Sequence, residues 1–334
     1  MDDSARLMPD FQYGRLQLSD TSWRLPETGS FDSEANDMSA TGSTLARRAL
    51  GRELRRLRTA KGMQQAEAAR AAETSPQSIS RTEEGVTTRL TSFQINALCD
   101  AYEASDEERK MLLSLLAEVR ASREKGGGWW RAYADAQIPS GFDHYLSLEE
   151  SAHQLTAWKT AVLPGLLQTA DYRRALAWSE IPQLSPEAIE SRIELATRRQ
   201  ARLEDPDFTM NVLLSEAVLR EQVGGPAVMG DQLKYLAKMS ELPNVSVSMV
   251  PFSARRKLGV LVGSFSLLEF PVLPQSKLWE PPIVYVEEYA GDLYLERDTE
   301  VQRYRDALRE IRDVALDEVQ SRQRILAVAK EFDE

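Results

Sequence analysis

Cysteine and histidine are nearly absent from this chain: one cysteine, Cys99, and two histidines, His144 and His153, stand among 334 residues. A single cysteine excludes an intrachain disulfide, and so few ligands leave little material for a zinc site or a histidine-centred triad. Long apolar runs are missing as well. No stretch approaches the about 18 apolar residues of a membrane span, and no basic stretch followed by an apolar one reads as a signal peptide. Phosphate-binding glycine loops are also lacking. Gly224-Gly225-Pro226 and Gly259-Val260-Leu261-Val262-Gly263 have neither the fingerprint spacing nor a Lys-Ser/Thr partner, and Ser264 does not sit in a Gly-x-Ser-x-Gly elbow. Glu287, Glu288 and Glu296 remain as carboxylates for acid-base or metal chemistry, although carboxylates on or near strands more often face solvent. These absences predict a soluble, cytoplasmic protein that is not an enzyme and holds no cofactor or metal.

The formal net charge is -11, which taken alone argues against a nucleic-acid partner. Its distribution reverses that inference. Residues 44–70 carry eight basic and two acidic side chains, whereas residues 121–334 are acidic overall. Positive charge is therefore concentrated in one segment, as an electrostatic footprint for phosphates would be.

That segment leads into the most informative stretch, Gly62 to Gly85. Gln64 to Ala72 reads as a short helix whose Ala68, Ala69 and Ala72 permit close crossing by a second one. Thr74 and Ser75 supply an N-cap and Pro76 occupies the first helical position, where a missing N-H costs nothing. The second helix runs to about Glu83 and turns Ile79 inward, leaving Gln77, Ser78, Ser80 and Arg81 outside. Such a polar face suits the reading of base edges in a major groove.

With its Ile79-Ser80-Arg81-x-Glu83-x-Gly85 signature, this stretch resembles the helix-turn-helix of the lambda-repressor-like family, also called the xenobiotic response element family. The resemblance implies base reading by Gln77, Ser78 and Arg81, and phosphate contacts from Gln65 and Arg89. It also implies a structural ion pair between Arg58 and Glu83. Two positions depart from the family pattern: Glu73 stands where the turn usually has Gly, so it must accept a positive φ at some cost, and Thr82 replaces the usual Ile or Leu.

Around the motif, Leu50, Leu54 and Leu57 predict a helix from Thr44, with Gly62 as its stop. Arg47, Arg48, Arg52, Arg55 and Arg56 on it are expected to form a mostly solvated face, able to lie near phosphates. Ser92 begins a helix carrying Ile95, Leu98, Cys99 and Tyr102, so Cys99 is expected in the core. Ser105 and Glu108 form a capping box for a fifth helix.

Lys125-Gly126-Gly127-Gly128 marks a boundary. Trp129 and Trp130 then anchor the next domain or bind a ligand. Ser147 and Glu150 open an expected helix through Leu155 and Trp158. The segment Pro164-Gly165-Leu166-Leu167-Gln168-Thr169, with Tyr172 and Arg173 after it, resembles the C-terminal domain of actinobacterial WhiJ-like regulators, a domain of unknown function. Val250-Pro251-Phe252, Phe265 to Phe270 and Val284 to Glu287 match it too. A long helix is expected from Ser185-Pro186 to Leu203, another near Pro226 to Ser240, and two at the end. Strands are expected at Thr209 to Leu214, Val245 to Val250, Phe265 to Phe270, Ile283 to Glu288 and Leu293 to Glu296.

The fold class expected is thus mainly α with an α+β C-terminal domain. Residues 1–43 read as a disordered extension, 44–123 as a five-helix, lambda-repressor-like DNA-binding domain, 124–128 as a Gly-rich linker, and 129–334 as helices around a small mixed sheet. The function expected is a sequence-specific transcriptional regulator that binds double-stranded DNA as a homodimer. The alternative is an antitoxin-like protein that binds a small partner protein from a neighbouring gene and regulates its own promoter. A small-molecule effector is a further partner class, with Trp129, Trp130, Trp158, Trp178, Tyr172 and Phe265 able either to line an apolar pocket or to pack in the core.

Overall fold

The computed structural model describes residues 45–86, 90–124, 128–138, 141–180, 183–255, 258–289 and 291–333. The disorder expected of residues 1–43, the phosphate contact expected of Arg89 and the linker positions Lys125, Gly126 and Gly127 lie outside them.

Five helices open the described chain: α1 (Leu45–Ala60), α2 (Gln65–Ala71), α3 (Pro76–Glu83), α4 (Ser92–Tyr102) and α5 (Asp106–Glu124). The starts of α3, α4 and α5 are capped by side chains that satisfy N-H groups left free at a helix end. Ser75 Oγ accepts from the Ser78 N-H at 3.0 Å ahead of α3. At α4 the cap is Thr91 rather than Ser92, paired reciprocally with Gln94 at 3.0 and 3.2 Å. Ser105 and Glu108 make the same exchange at α5. The apolar faces meet in a core that includes Leu50, Leu54, Leu57, Ala68, Ile79, Ile95, Leu98 and Leu115. Cys99 is fully buried there, and burial pushes its thiol pKa up, which keeps it inert.

After a 3-10 segment at Trp129–Ala136, the second region contains α6 (Phe142–Ser151), β1 (Gln154–Lys159), α7 (Ala170–Trp178), α8 (Pro186–Gln200), β2 (Thr209–Ser215), α9 (Glu216–Arg220), α10 (Pro226–Met239) and β3 (Val245–Val250). It continues through α11 (Leu258–Val262), β4 (Phe265–Glu269), β5 (Ile283–Glu288), β6 (Gly291–Leu295), α12 (Asp298–Arg312) and α13 (Glu318–Glu331). The strands form one six-stranded sheet in the order β3-β2-β1-β4-β5-β6. β1, β2 and β3 are parallel, and β4, β5 and β6 continue antiparallel.

The main correction to the expected elements is β1. Leu155 and Trp158 have helical spacing, yet the helix ends at Ser151 and residues 154–159 become a central strand. A strand covered on both faces shows a short continuous apolar run, which periodicity cannot distinguish from a helical turn. The alternation is real nonetheless. Leu155 and Ala157 join the core shared with α10 and α13, while Trp158 joins Phe265, Val284, Val301 and Ile311 on the α12 side.

The described residues on either side of the glycine-rich boundary belong to one compact unit. The seam is built from charge. Fully buried Glu280, in the segment before β5, accepts Arg48 Nε at 3.0 Å and Arg52 Nη1 at 3.0 Å on both oxygens. Arg48 also reaches Glu296 at 2.8 Å. Glu118 on α5 accepts the Gln275 and Ser276 N-H groups at 2.6 Å each. The expected solvated arginine face is corrected accordingly: Arg48 and Arg52 hold the second region, Arg47 is buried, and Arg56 pairs with Glu53 and Glu108. Arg55 stays exposed on that helix.

Candidate nucleic-acid interface

The α2-turn-α3 unit is held by its backbone first. α2 ends with Glu73 at φ 49°, and the N-H groups of Glu73 and Thr74 return to Arg70 O (3.3 Å) and Ala69 O (2.9 Å). This is the paired bonding of a Schellman ending, normally completed by Gly at the left-handed position. A residue with a Cβ is strained there. Glu73 therefore closes the turn at a cost that a Gly would not incur.

α3 lies close against α1. A Cβ on Gly51 would come within 2.2 Å of Thr82 O, so only glycine allows the crossing. Thr82, the other departure from the family pattern, is buried and turns its hydroxyl back onto Ser78 O at 2.7 Å. The missing aliphatic contact is thus replaced by a satisfied polar one.

Arg58 and Glu83 come together as a two-pronged pair, Nε to Oε1 at 2.5 Å and Nη2 to Oε2 at 2.9 Å. The Glu83 side chain is only 2% exposed. Arg58 Nη1 also donates to Met63 O at 2.7 Å, tying in the turn before α2. Hydrogen bonding to Glu83 raises the Arg58 pKa and keeps it charged. Gln65 Nε2 donates to Glu83 Oε2 at 3.0 Å. The side chain expected at phosphate therefore also braces the buried carboxylate.

On the opposite face of α3, Gln77 is exposed and Ser78 and Arg81 are partly so. Neither Gln77 nor Arg81 has a side-chain hydrogen bond or ion pair among the described residues. Ser80 is turned along the helix to Glu84 at 2.7 Å. The surface presented to solvent is thus an amide donor and acceptor, a hydroxyl and a guanidinium, in the first two turns of a helix whose other face is fixed. These groups match base-edge donors and acceptors. They stay accessible while the second region occupies Arg48 and Arg52.

Sequence reasoning missed Glu280, because a lone glutamate in a proline-flanked loop carries no pattern that forecasts a partner some 230 residues earlier. The aromatic side chains proposed for one effector pocket are dispersed. Trp129 and Trp130 pack edge to face at 5.9 Å beside Leu146 and Leu195, Trp158 and Phe265 lie under α12, Tyr172 is fully buried, and Trp178 is exposed. No cluster of residues able to hold a metal ion occurs among the described residues, and no helix there is long and apolar enough to cross a membrane.

Compared with models of known families, residues 142–327 match a Domain of unknown function (DUF5753). Residues 49–112, from within α1 to the first turns of α5, match a Helix-turn-helix domain. No curated protein and no solved structure matches the chain.

Proposed function

Since the chain belongs to the family of the Domain of unknown function (DUF5753), which covers more than half its length, and carries a helix-turn-helix domain ahead of it, we propose a sequence-specific transcriptional regulator of the lambda-repressor-like, WhiJ-like type. It binds double-stranded DNA and acts in the cytoplasm without catalysing a reaction. The observation that carries this reading is that the Gln77 and Arg81 side chains on the outer face of α3 have no partner among the described residues. Arg81 pairs with guanine N7 and O6, Gln77 pairs with adenine, and Ser78 reads either a base or a phosphate. Each good bidentate pair contributes about 1–3 kcal/mol of discrimination. Gln65, with one amide hydrogen still free of Glu83, and Arg89 serve as phosphate contacts that set register.

One such unit spans few base pairs, so the protein binds as a dimer on half-sites about 34–36 Å apart. Exposed apolar side chains support a protein contact of this kind: Phe252 and Val260, 55% and 75% exposed, line a recess of about 310 Å³, and Leu261, next in sequence to Val260, is 83% exposed. Exposed apolar side chains gathered at a recess are a feature of association surfaces. The same surface favours the second reading, an antitoxin-like protein whose partner is a small neighbouring gene product. Selection of bound duplexes from a random pool, with the mass of the complex measured by light scattering, tests both. Two enriched half-sites and a dimer mass support the regulator. Absence of any enriched sequence overturns it, and a monomer on a single half-site removes the dimer.

A further inference from the structure

Between α6, α7 and the β1–β4–β5 side of the sheet lies a cavity of about 500 Å³, and an adjoining recess of about 680 Å³ shares part of its wall. Both are within the usual size of small-molecule sites. The cavity opens at the carboxyl end of β1, where the sheet order passes from β2 to β4. Crevices at that place in open α/β sheets are habitual ligand sites.

The wall is formed in part by the segment singled out in the sequence. Pro164, Gly165, Leu166 and Gln168 line it. The segment is locked in place: Gln168 Nε2 donates to Leu163 O at 2.7 Å, and the Thr169 N-H donates to buried Gln232 at 2.6 Å. Gly165 leaves room for the Arg199 guanidinium, which a Cβ would approach to 3.3 Å.

The charges around this space divide into two kinds. Arg199 is closed off by Glu149 through two 2.8 Å bonds, and Arg192 is held by Glu180 and backbone carbonyls. Lys159 and Arg173 have no such carboxylate among the described residues. The Lys159 ammonium has no hydrogen bond there, and the Arg173 guanidinium has only one, to Gln168 Oε1 at 3.3 Å. Burial pushes the Lys159 pKa down and, with Arg199 adding to it, brings Arg173 down to about 10. The charged forms are therefore held at a cost. Glu287, exposed at the end of β5, is the carboxylate whose charge acts most on both cations, ahead of Glu149 for Lys159 and Glu180 for Arg173, without an ion-pair contact.

We propose that this cavity is a binding site for a small organic anion, whose carboxylate or phosphate head group sits on Lys159 and Arg173 and whose apolar body lies along Phe142, Tyr145 and Tyr285. An anionic oxygen supplies the charge-assisted partners that both cations lack, and the aromatic walls accept the rest. β5 bears Tyr285 and Glu287 in this cavity and follows directly on the segment whose Glu280 holds Arg48 and Arg52. The site and the seam of the helix-turn-helix region are thus joined through one strand.

The test is calorimetric titration of the full chain, without DNA, with benzoate and with phenyl phosphate at matched chloride. Saturable binding of at least one, with Kd on the order of 1 mM or tighter, is expected. Which one binds more tightly identifies the head group. Lys159→Met and Arg173→Gln should each weaken it at least about tenfold, whereas Glu287→Gln should tighten it. Lys159→Met should also melt at a higher temperature than the parent without ligand, which separates loss of binding from loss of folding. Absence of saturation by both probes overturns the proposal, as does affinity unchanged in the Lys159 and Arg173 variants. Because no DNA is present, neither outcome depends on the regulator reading.

Discussion

In the helical region Glu83 receives two bonds from Arg58 and one from Gln65, and at the seam Glu280 receives three from Arg48 and Arg52. In the cavity of the mixed region the Lys159 ammonium donates no hydrogen bond among the described residues, and the Arg173 guanidinium donates one long bond to an amide oxygen. Charges taken from water are tolerated when their partners are complete. A complete set fixes geometry, as Arg58 and Glu83 fix the back of α3. An incomplete set in an open cavity costs stability and leaves charge available to a ligand, and Gln77 and Arg81, without partners among the described residues on the outer face of α3, follow the same logic at a surface.

The comparison is broken most severely by removing one member of a complete set. Arg58→Ala leaves Glu83 buried without its cation and should lower stability by about 3–5 kcal/mol, read from denaturant unfolding followed by helical circular dichroism. A loss below about 1 kcal/mol would show that the pair is solvated in practice.

A titration probes the seam next. His144 packs against Tyr294 at 4.6 Å, and burial first, then Arg48, push its pKa down to about 4. In the unfolded chain a histidine titrates near 6.5, so below that pH the unfolded state binds the extra proton. Stability is therefore full above about 6.5 and lost as pH falls toward 4, by about 2 kcal/mol between pH 7 and pH 5. His144→Phe should abolish that part of the loss in paired melts.

The smallest effect concerns strain rather than charge. Glu73→Gly relieves the positive φ at the turn and should raise stability by about 1 kcal/mol, partly offset by the added freedom of the unfolded chain. A decrease in melting temperature would mean that the Glu73 side chain contributes more than its backbone costs.

Much of the helical region was legible because its signals are local. Pro76 after Ser75, Ser105 with Glu108, and leucines four and three residues apart each dictate structure within a few positions. The Arg58 to Glu83 pair was reachable through the family signature. The mixed region was harder to read. In β1 the three-residue spacing of Leu155 and Trp158 reads as helical, whereas a strand covered on both faces turns them to opposite sides, and its strand character depends on β2 and β4, which lie far along the chain. Arg48 and Arg52 resembled an exposed basic face because Glu280 is unremarkable in sequence. Lys159 and Arg173 are brought to one cavity only by folding, although the Pro164 to Thr169 segment beside them is conspicuous in the sequence.

The central claim is that α3 is fixed on its inner face by paired charge and reads DNA with the groups left unpaired on its outer face. Equilibrium binding of Arg81→Ala to a selected duplex and to the same duplex with each guanine replaced tests it most directly. The account predicts unchanged melting temperature, affinity for the selected site weaker by about 1–3 kcal/mol, and lost discrimination at one guanine per half-site. Affinity and site preference equal to those of the parent protein would contradict it.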